Sequence, residues 1–270
     1  MAIELNAFLY DRSLSADAVL VTLINFLCVF IRILSFVMFS PILGAKLVLG
    51  KIKIVFSVLV SFLLFQGLQL NPNVEVLNVF SLILLIVSEF LVGIAMAFVV
   101  QLLFQTITAG AEIISAQTGF SFAMLFDPSV ETSVPVIGQF YLLMTTLIFL
   151  KMDAHLELIS ILKQSFVFLD LNHNFHNINW QDLVSMLGIL LGLALKIALP
   201  LLTLLLIVNI AFGLMTKISP QLNVFTLGLP LTLLISLLFI LMDIQDFKIQ
   251  VDGIWQRTRE LLELEFVHGR

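Results

Sequence analysis

Three charged residues, Arg32, Glu89 and Lys196, lie inside long apolar stretches of this sequence. An ionisable side chain at membrane depth is costly, so it marks either a transport pathway or a neutralised pair between helices. Glu89 and Lys196 each share a helix face with small residues at four-residue spacing. Those small residues are Gly93, Ala97, Gly188 and Gly192. Because such faces let helices approach closely, we predict helix packing there, with Glu89 and Lys196 paired with each other or with a neighbouring subunit.

A polar and aromatic segment, Ile113 to Phe126, carries no charge and is flanked by Glu112 and Asp127. It is shorter than the roughly 17 residues that a spanning helix requires. Irregular backbone at membrane depth is tolerated only where it is packed in protein or lines a cavity. The segment therefore predicts a re-entrant loop or, equally well on its spacing, a buried core helix.

The sequence offers little for catalysis. His173 and His176 are three residues apart in a polar loop, but no third metal ligand follows at helical or turn spacing. Asp153 and His155 follow an apolar run and are typical of charges at a membrane interface. The sequence has no Gly-rich phosphate loop, nucleophile elbow or zinc-protease motif. We therefore expect a non-enzymatic protein without metal or cofactor.

The elements that position these residues follow from the composition. Of the 270 residues, 60% are hydrophobic and 11% charged, and the mean hydropathy is +1.14. An average soluble domain has roughly a quarter of its residues charged, so the whole chain is predicted to be an all-α membrane module. With 13 basic and 18 acidic residues it has no basic surface for nucleic acid.

Six apolar runs are present, but their lengths do not fit six spans. They are Ala18–Ser40, Ile54–Leu70, Val76–Thr108, Val136–Leu150, Leu183–Thr216 and Val224–Met242. The third and fifth runs are too long for one crossing of about 20 residues and too short for two. Pro200 predicts a kink in the fifth run. The residues from Ile244 onwards predict an amphipathic helix that binds a partner or the membrane surface.

Four motifs carry a family resemblance: Gln117–Pro128 (QTGFSFAMLFDP), Gly138–Phe140 (GQF), Phe149–His155 (FLKMDAH) and Pro220–Pro230 (PQLNVFTLGLP). Together they resemble the FliR family, the export-gate subunits of the bacterial flagellar type III secretion system. The resemblance covers nearly the whole chain, and the run from Pro200 to Pro230 is its most specific part. The family usually has glycine where this chain has Ala154, which weakens any role for His155.

The resemblance implies long kinked helical hairpins assembled in a helical hetero-oligomer with FliP and FliQ subunits, with FlhB and FlhA as further partners. This complex would be a channel in the bacterial inner membrane, at the flagellar basal body, for unfolded export substrates. Residues 1–176 would correspond to a FliP-like part of the single 1–270 module. Residues 177–270 would form a FliQ-like hairpin hinged at Lys217 to Asn223.

The resemblance also implies that residues 113–128 form a plug loop that closes the channel. Its predicted plug residues are Gln117, Gly119, Phe120, Phe122, Met124 and Phe126. Phe and Met side chains in a narrow pore exclude water, and Met can reseal around varied cargo. Gly119 provides the backbone freedom for the turn.

Two alternatives remain at this stage. The homologous subunit of the injectisome type III secretion system has nearly the same sequence features. A secondary transporter would also explain Glu89, Lys196 and broken helices, but it should move a small substrate on its own.

Overall fold

The computed structural model describes residues 2–44, 48–68, 79–119, 135–169, 180–218 and 228–268. Within those ranges all regular structure is helical, which confirms the predicted all-α class. The α-helices there are α1 (Ala2–Phe39), α2 (Gly50–Phe65), α3 (Val79–Thr118), α4 (Val136–Lys151), α5 (Ala154–Phe168), α6 (Trp180–Ile218), α7 (Leu229–Met242) and α8 (Ile244–Glu263). A π-helical segment, Leu264–His268, follows α8.

Three described segments are long and apolar enough to cross a bilayer: Val19–Phe39, Val79–Thr118 and Gly188–Ile218. Pro230–Met242 and Ile244–Val267 meet at a bend of 63° and together form a fourth candidate. Large apolar side chains cover the outside of these helices, as expected of surfaces that contact lipid or other membrane subunits. The chain is therefore a multi-pass, all-helical membrane protein.

Helix α3 is longer than the apolar run that predicts it. It continues beyond Thr108 to Thr118, so its 40 residues measure about 60 Å. The helical period continues because Ala111, Ser115 and Thr118 are all buried on one side. The residues from Ile113 to Thr118 are thus the end of a helix. The choice between a re-entrant loop and a buried core helix for the whole segment stays open, because Phe120 to Phe126 lie outside the described residues.

Helix α6 runs without interruption from Trp180 to Ile218, with Pro200 inside it. The kink expected at Pro200 stays a prediction. The bend that the structure does give lies at Asp243, between α7 and α8.

The described chain forms two compact units. The first comprises Met1–Gln101, Leu156–Asn179 and Glu260–Arg270, and the second comprises Leu102–His155 and Trp180–Arg259. These boundaries reflect packing within the chain. The division at 176 and 177, which reflects resemblance to two other proteins, remains a prediction.

In the first unit, α1 packs against α2 and α3. Phe26 and Phe65 join α1 to α2 in an edge-to-face contact, with ring centroids 5.6 Å apart. Gly93 brings α3 close to α1, because an added Cβ there would overlap Ser35 Oγ and the carbonyl oxygen of Arg32. Gly93 therefore lies at a close helix contact, as its small-residue face predicts.

In the second unit, α3 approaches α6 at Gly110, which was not among the residues predicted to pack. A Cβ added at Gly110 would lie 2.9 Å from the carbonyl oxygen of Ala194 and 3.3 Å from Ile197. The signal in the sequence was the small-residue run Ala109, Gly110 and Ala111, which permits close backbone approach.

The amphipathic helix α8 covers the chain itself. Its buried apolar residues are Phe247, Val251, Ile254, Trp255 and Leu262. Ring contacts join Phe247 to Tyr141 at 4.8 Å and Trp255 to Phe149 at 5.1 Å, both close to edge-to-face. For Phe247 and Trp255, the prediction that this apolar face binds a partner or the membrane surface is wrong, because α4 already contacts both side chains.

Gly93→Ala should destabilise the first unit, because the new methyl group would overlap atoms of α1 that cannot move independently. Overpacking of this kind costs about 1–3 kcal/mol. Gly253→Ala is the matched control, since nothing lies within 4 Å of its added Cβ. The measurement is the heat resistance of each variant in detergent-solubilised membranes. Equal resistance of the two variants would contradict the close contact.

Candidate functional site

The charged centre of the first unit is a fully buried ion pair between α1 and α3. Arg32 is 1% exposed and Glu89 is 3% exposed. Arg32 Nε donates to Glu89 Oε2 at 2.6 Å, and Nη2 donates to Oε1 at 2.9 Å. This is the two-pronged geometry in which a planar guanidinium fits a carboxylate, and it holds both side chains in one orientation.

The same guanidinium also holds the end of α5. Arg32 Nη1 donates to Ser165 Oγ at 3.1 Å, and Nη2 donates to the carbonyl oxygen of Leu169 at 3.0 Å. The ring of Phe166 lies against the guanidinium, with its centroid 4.1 Å from Cζ. Ser165 Oγ in turn donates to the carbonyl oxygen of Leu162 at 2.8 Å. All three guanidinium nitrogens are therefore used, and one side chain joins three helices.

This geometry corrects the predicted pairing of Glu89 with Lys196. Both carboxylate oxygens of Glu89 accept from Arg32, and Lys196 is exposed on α6. The four-residue spacing placed each charge on a helix face correctly. That spacing does not show which charge on another helix faces Glu89, because Arg32 and Glu89 are 57 residues apart in the chain.

The centre is an ion pair whose hydrogen bonds all go to groups of the first unit. Both oxygens of the Glu89 carboxylate accept hydrogen bonds from one guanidinium. Removing two charges from water is costly, and the cost is met only when every polar group finds a partner, as it does around Arg32. The arrangement fixes helices at membrane depth.

The other predicted packing residues lie on a free surface of the second unit. Gly188 and Gly192 are exposed, and among the described residues nothing lies within 4 Å of a Cβ added at either position. Lys196 is exposed one turn further along α6. The structure thus separates the two small-residue faces, since the Gly93 face is packed and the Gly188 face is not.

The predicted plug begins where α3 ends. Gln117 is exposed, Thr118 is buried, and Thr118 Oγ1 donates to the carbonyl oxygen of Ser115 at 3.1 Å. Gly119 has a φ of 84°, the left-handed conformation that terminates helices and that glycine adopts without strain. Four predicted plug residues lie outside the described residues: Phe120, Phe122, Met124 and Phe126.

The residues weighed for catalysis do not form a reactive arrangement in the described part of the chain. Asp153 has a φ of 56° in the turn between α4 and α5, and His155 lies in the first turn of α5. The described residues contain no group of three or more His, Cys, Asp or Glu placed to hold a metal ion. His173 and His176 lie outside the described residues.

Comparison with known proteins gives consistent relatives. The profile of "Bacterial export proteins, family 1" matches residues 23–258. The flagellar biosynthetic protein FliR of Escherichia coli K12 is 36% identical over 208 residues, which cover 77% of this chain and 79% of that protein. FliR of Buchnera aphidicola from Acyrthosiphon pisum is 35% identical, covering 82% and 86% of the two chains. FliR of Bacillus subtilis is 27% identical, covering 88% and 92%.

Arg32→Ala should strongly reduce the amount of folded protein, because Glu89 would remain as an uncompensated buried charge. The expected cost is about 3–5 kcal/mol, and replacing both partners, as Arg32→Met with Glu89→Leu, should recover much of it. Lys51→Ala on α2 is the control, because Lys51 is an exposed lysine of the same unit. Protease resistance in isolated membranes measures the effect. Arg32→Ala behaving like Lys51→Ala would show that the pair contributes little.

Proposed function

We propose that this chain, which belongs to family 1 of the bacterial export proteins, the FliR family, forms a channel together with FliP-type and FliQ-type subunits. Unfolded flagellar proteins would leave the cytoplasm through this channel. The family makes it a membrane subunit of the flagellar type III export gate. We further propose that this channel lies in the inner membrane, at the flagellar basal body.

The observation that supports the proposal is the small share of helix α6 that is buried within the chain. Only 22% of the apolar window within Gly188–Ile218 is buried, compared with 44% for Val79–Thr118. A helix that is held by its own chain on one side only, and that carries an exposed lysine and two exposed glycines, is typical of a subunit that packs against other subunits. It is not typical of a protein that works alone.

The closing element of the channel is proposed to be the segment that follows α3. Gly119 ends that helix in a left-handed conformation, and Phe120, Phe122, Met124 and Phe126 follow it in the sequence. Apolar side chains of this size close a narrow pore by excluding water, and therefore ions. Flexible Met side chains can reseal around different cargo.

In this function the chain acts as a structural part of the conduit and not as an enzyme. Its intramembrane carboxylate is fixed by Arg32, so Glu89 is not placed to carry protons. The energy for transport is proposed to come from other components of the export apparatus, with FlhA and FlhB as neighbouring subunits.

The alternatives are weaker. The relatives compared above are named as flagellar proteins, which favours the flagellar system over the injectisome. The transporter alternative relied on Glu89 and Lys196 as free intramembrane charges, and Glu89 is bound on both oxygens.

Expressed alone in a bacterial membrane, the chain should be degraded or aggregate, because α6 exposes a charge and a packing face that partners would cover. Co-expression with FliP-type and FliQ-type subunits should raise its amount several-fold and give one hetero-oligomer. Blue native electrophoresis with quantitative immunoblotting measures both. A stable monomer that transports a small solute without partners would support the transporter instead.

Deleting Phe120 to Met124 should leave the complex assembled but leaky, because this deletion keeps all of α3 and removes the apolar barrier. Replacing Phe120 and Phe122 by Ala should give a milder leak. Phe62→Ala with Phe80→Ala is the matched control, since both side chains are exposed on the outside of helices. Membrane conductance is measured beside a pull-down for assembly. A deletion that assembles and stays tight would contradict the plug.

A further inference from the structure

Helix α6 has two faces with different surroundings. One face is buried against the chain itself, through Ala194, Ile197, Ala198, Leu201 and Leu205. The opposite face, which we name the open face, is exposed and consists of Gly188, Gly192, Lys196, Leu199, Thr203 and Ile210. Since α-helical residues turn by about 100° each, these two sets point to opposite sides of one helix.

The open face has room for a closely packed neighbour. No described residue lies within 4 Å of a Cβ added at Gly188 or Gly192, so their small size serves no contact within the described part of the chain. Gly93 and Gly110 show the contrast, because added Cβ atoms there would meet backbone atoms of the facing helix. In membranes, small residues at four-residue spacing are where helix backbones meet.

Lys196 places a positive charge on the open face, which favours a neighbour with a negative charge at the same level. It lies in a candidate membrane span, eight residues after Gly188 and therefore about 12 Å further along the helix. An ammonium group at such a depth is stabilised by a carboxylate brought close to it. Two carboxylates lie in the candidate span Val79–Thr118. Glu89 is already bound by Arg32, and the exposed Glu112 forms no ion pair with Lys196 in the described part of the chain.

We propose that the open face docks a transmembrane helix of a different subunit, which carries one carboxylate at the depth of Lys196. The inference rests on the proposed function, since it assigns one contact of the proposed hetero-oligomer. Charge complementarity sets the partner's acidic residue, and the two glycines set the close approach of its backbone.

A second copy of this chain does not fit the same face. A two-fold contact would place Lys196 opposite Lys196, and like charges in a low-dielectric contact repel. The anionic headgroup of a lipid could pair with Lys196. A mobile lipid, however, does not require the close backbone approach that glycines on the two preceding turns permit. A helix with a carboxylate satisfies both features of the face.

The first test is photocrosslinking in the native export complex. A benzophenone amino acid replaces Leu199 on the open face or, as control, Leu63 on α2, which is 70% exposed. The Leu199 position should crosslink to one membrane subunit, identified by mass spectrometry, through a helix that contains an Asp or Glu. Crosslinking to lipid alone, or equally to the same subunit from both positions, would overturn the proposal.

The second test is the charge. Lys196→Glu should reduce co-purification of the crosslinked subunit by roughly tenfold or more, because two like charges would meet away from water. Lys196→Arg should retain assembly. Replacing the partner's intramembrane carboxylate by Lys should restore assembly with Lys196→Glu. If Lys196→Glu assembles normally, or if the reversed pair is no better than the single variant, the pairing is wrong.

The third test is the space. Gly192→Leu should weaken assembly, while Gly253→Leu, also on an exposed helix surface with nothing nearby, should not. Neither change meets an atom of the chain itself, so a loss specific to Gly192 reports on the partner. If the unchanged chain binds no other membrane subunit, the proposed function and the docking face both fail. If it assembles and the open-face variants do too, the docking face alone fails.

Discussion

The constraint on which the described structure depends is that a charge at membrane depth must be neutralised by groups already in place. Arg32 meets it with two bonds to Glu89 and one each to Ser165 and Leu169. Because these partners lie on α3 and at the end of α5, one side chain fixes three helices that are distant in the sequence. Gly93 allows this, since only a residue without a Cβ lets α3 approach α1 so closely at that level.

The same constraint separates the packed and the open parts of the chain. Around Arg32, where Glu89 neutralises the charge within the chain, the facing sides of the helices are buried against each other. On α6 the inner face is closed by apolar residues and by the contact with Gly110, while the outer face leaves Lys196 and two glycines uncovered. A chain in which one intramembrane charge is satisfied and another is exposed is complete only as part of a larger assembly. That property agrees with membership of a family of export-apparatus proteins.

The sequence predicted those structural features that depend on residues close together in the chain. Composition and run length predicted an all-helical membrane protein, and four-residue spacing predicted the close contact at Gly93. The partner of Glu89 was missed because tertiary contact, not spacing, decides which charges meet. The end of α3 was misjudged because small and polar residues after Thr108 broke the hydropathy signal while Ala111, Ser115 and Thr118 kept the helical period. The apolar face of α8 was correctly recognised, but the sequence could not show that its Phe247 and Trp255 contact α4.

The most direct measurement of the central claim is an electron cryomicroscopy map of the complex purified from its native membrane. We expect Arg32 to keep both contacts with Glu89, near 2.6 and 2.9 Å, and the end of α5 to stay bound through Ser165 and Leu169. A map in which Arg32 or Glu89 instead turns into a water-filled channel, or pairs with a neighbouring subunit, would contradict it.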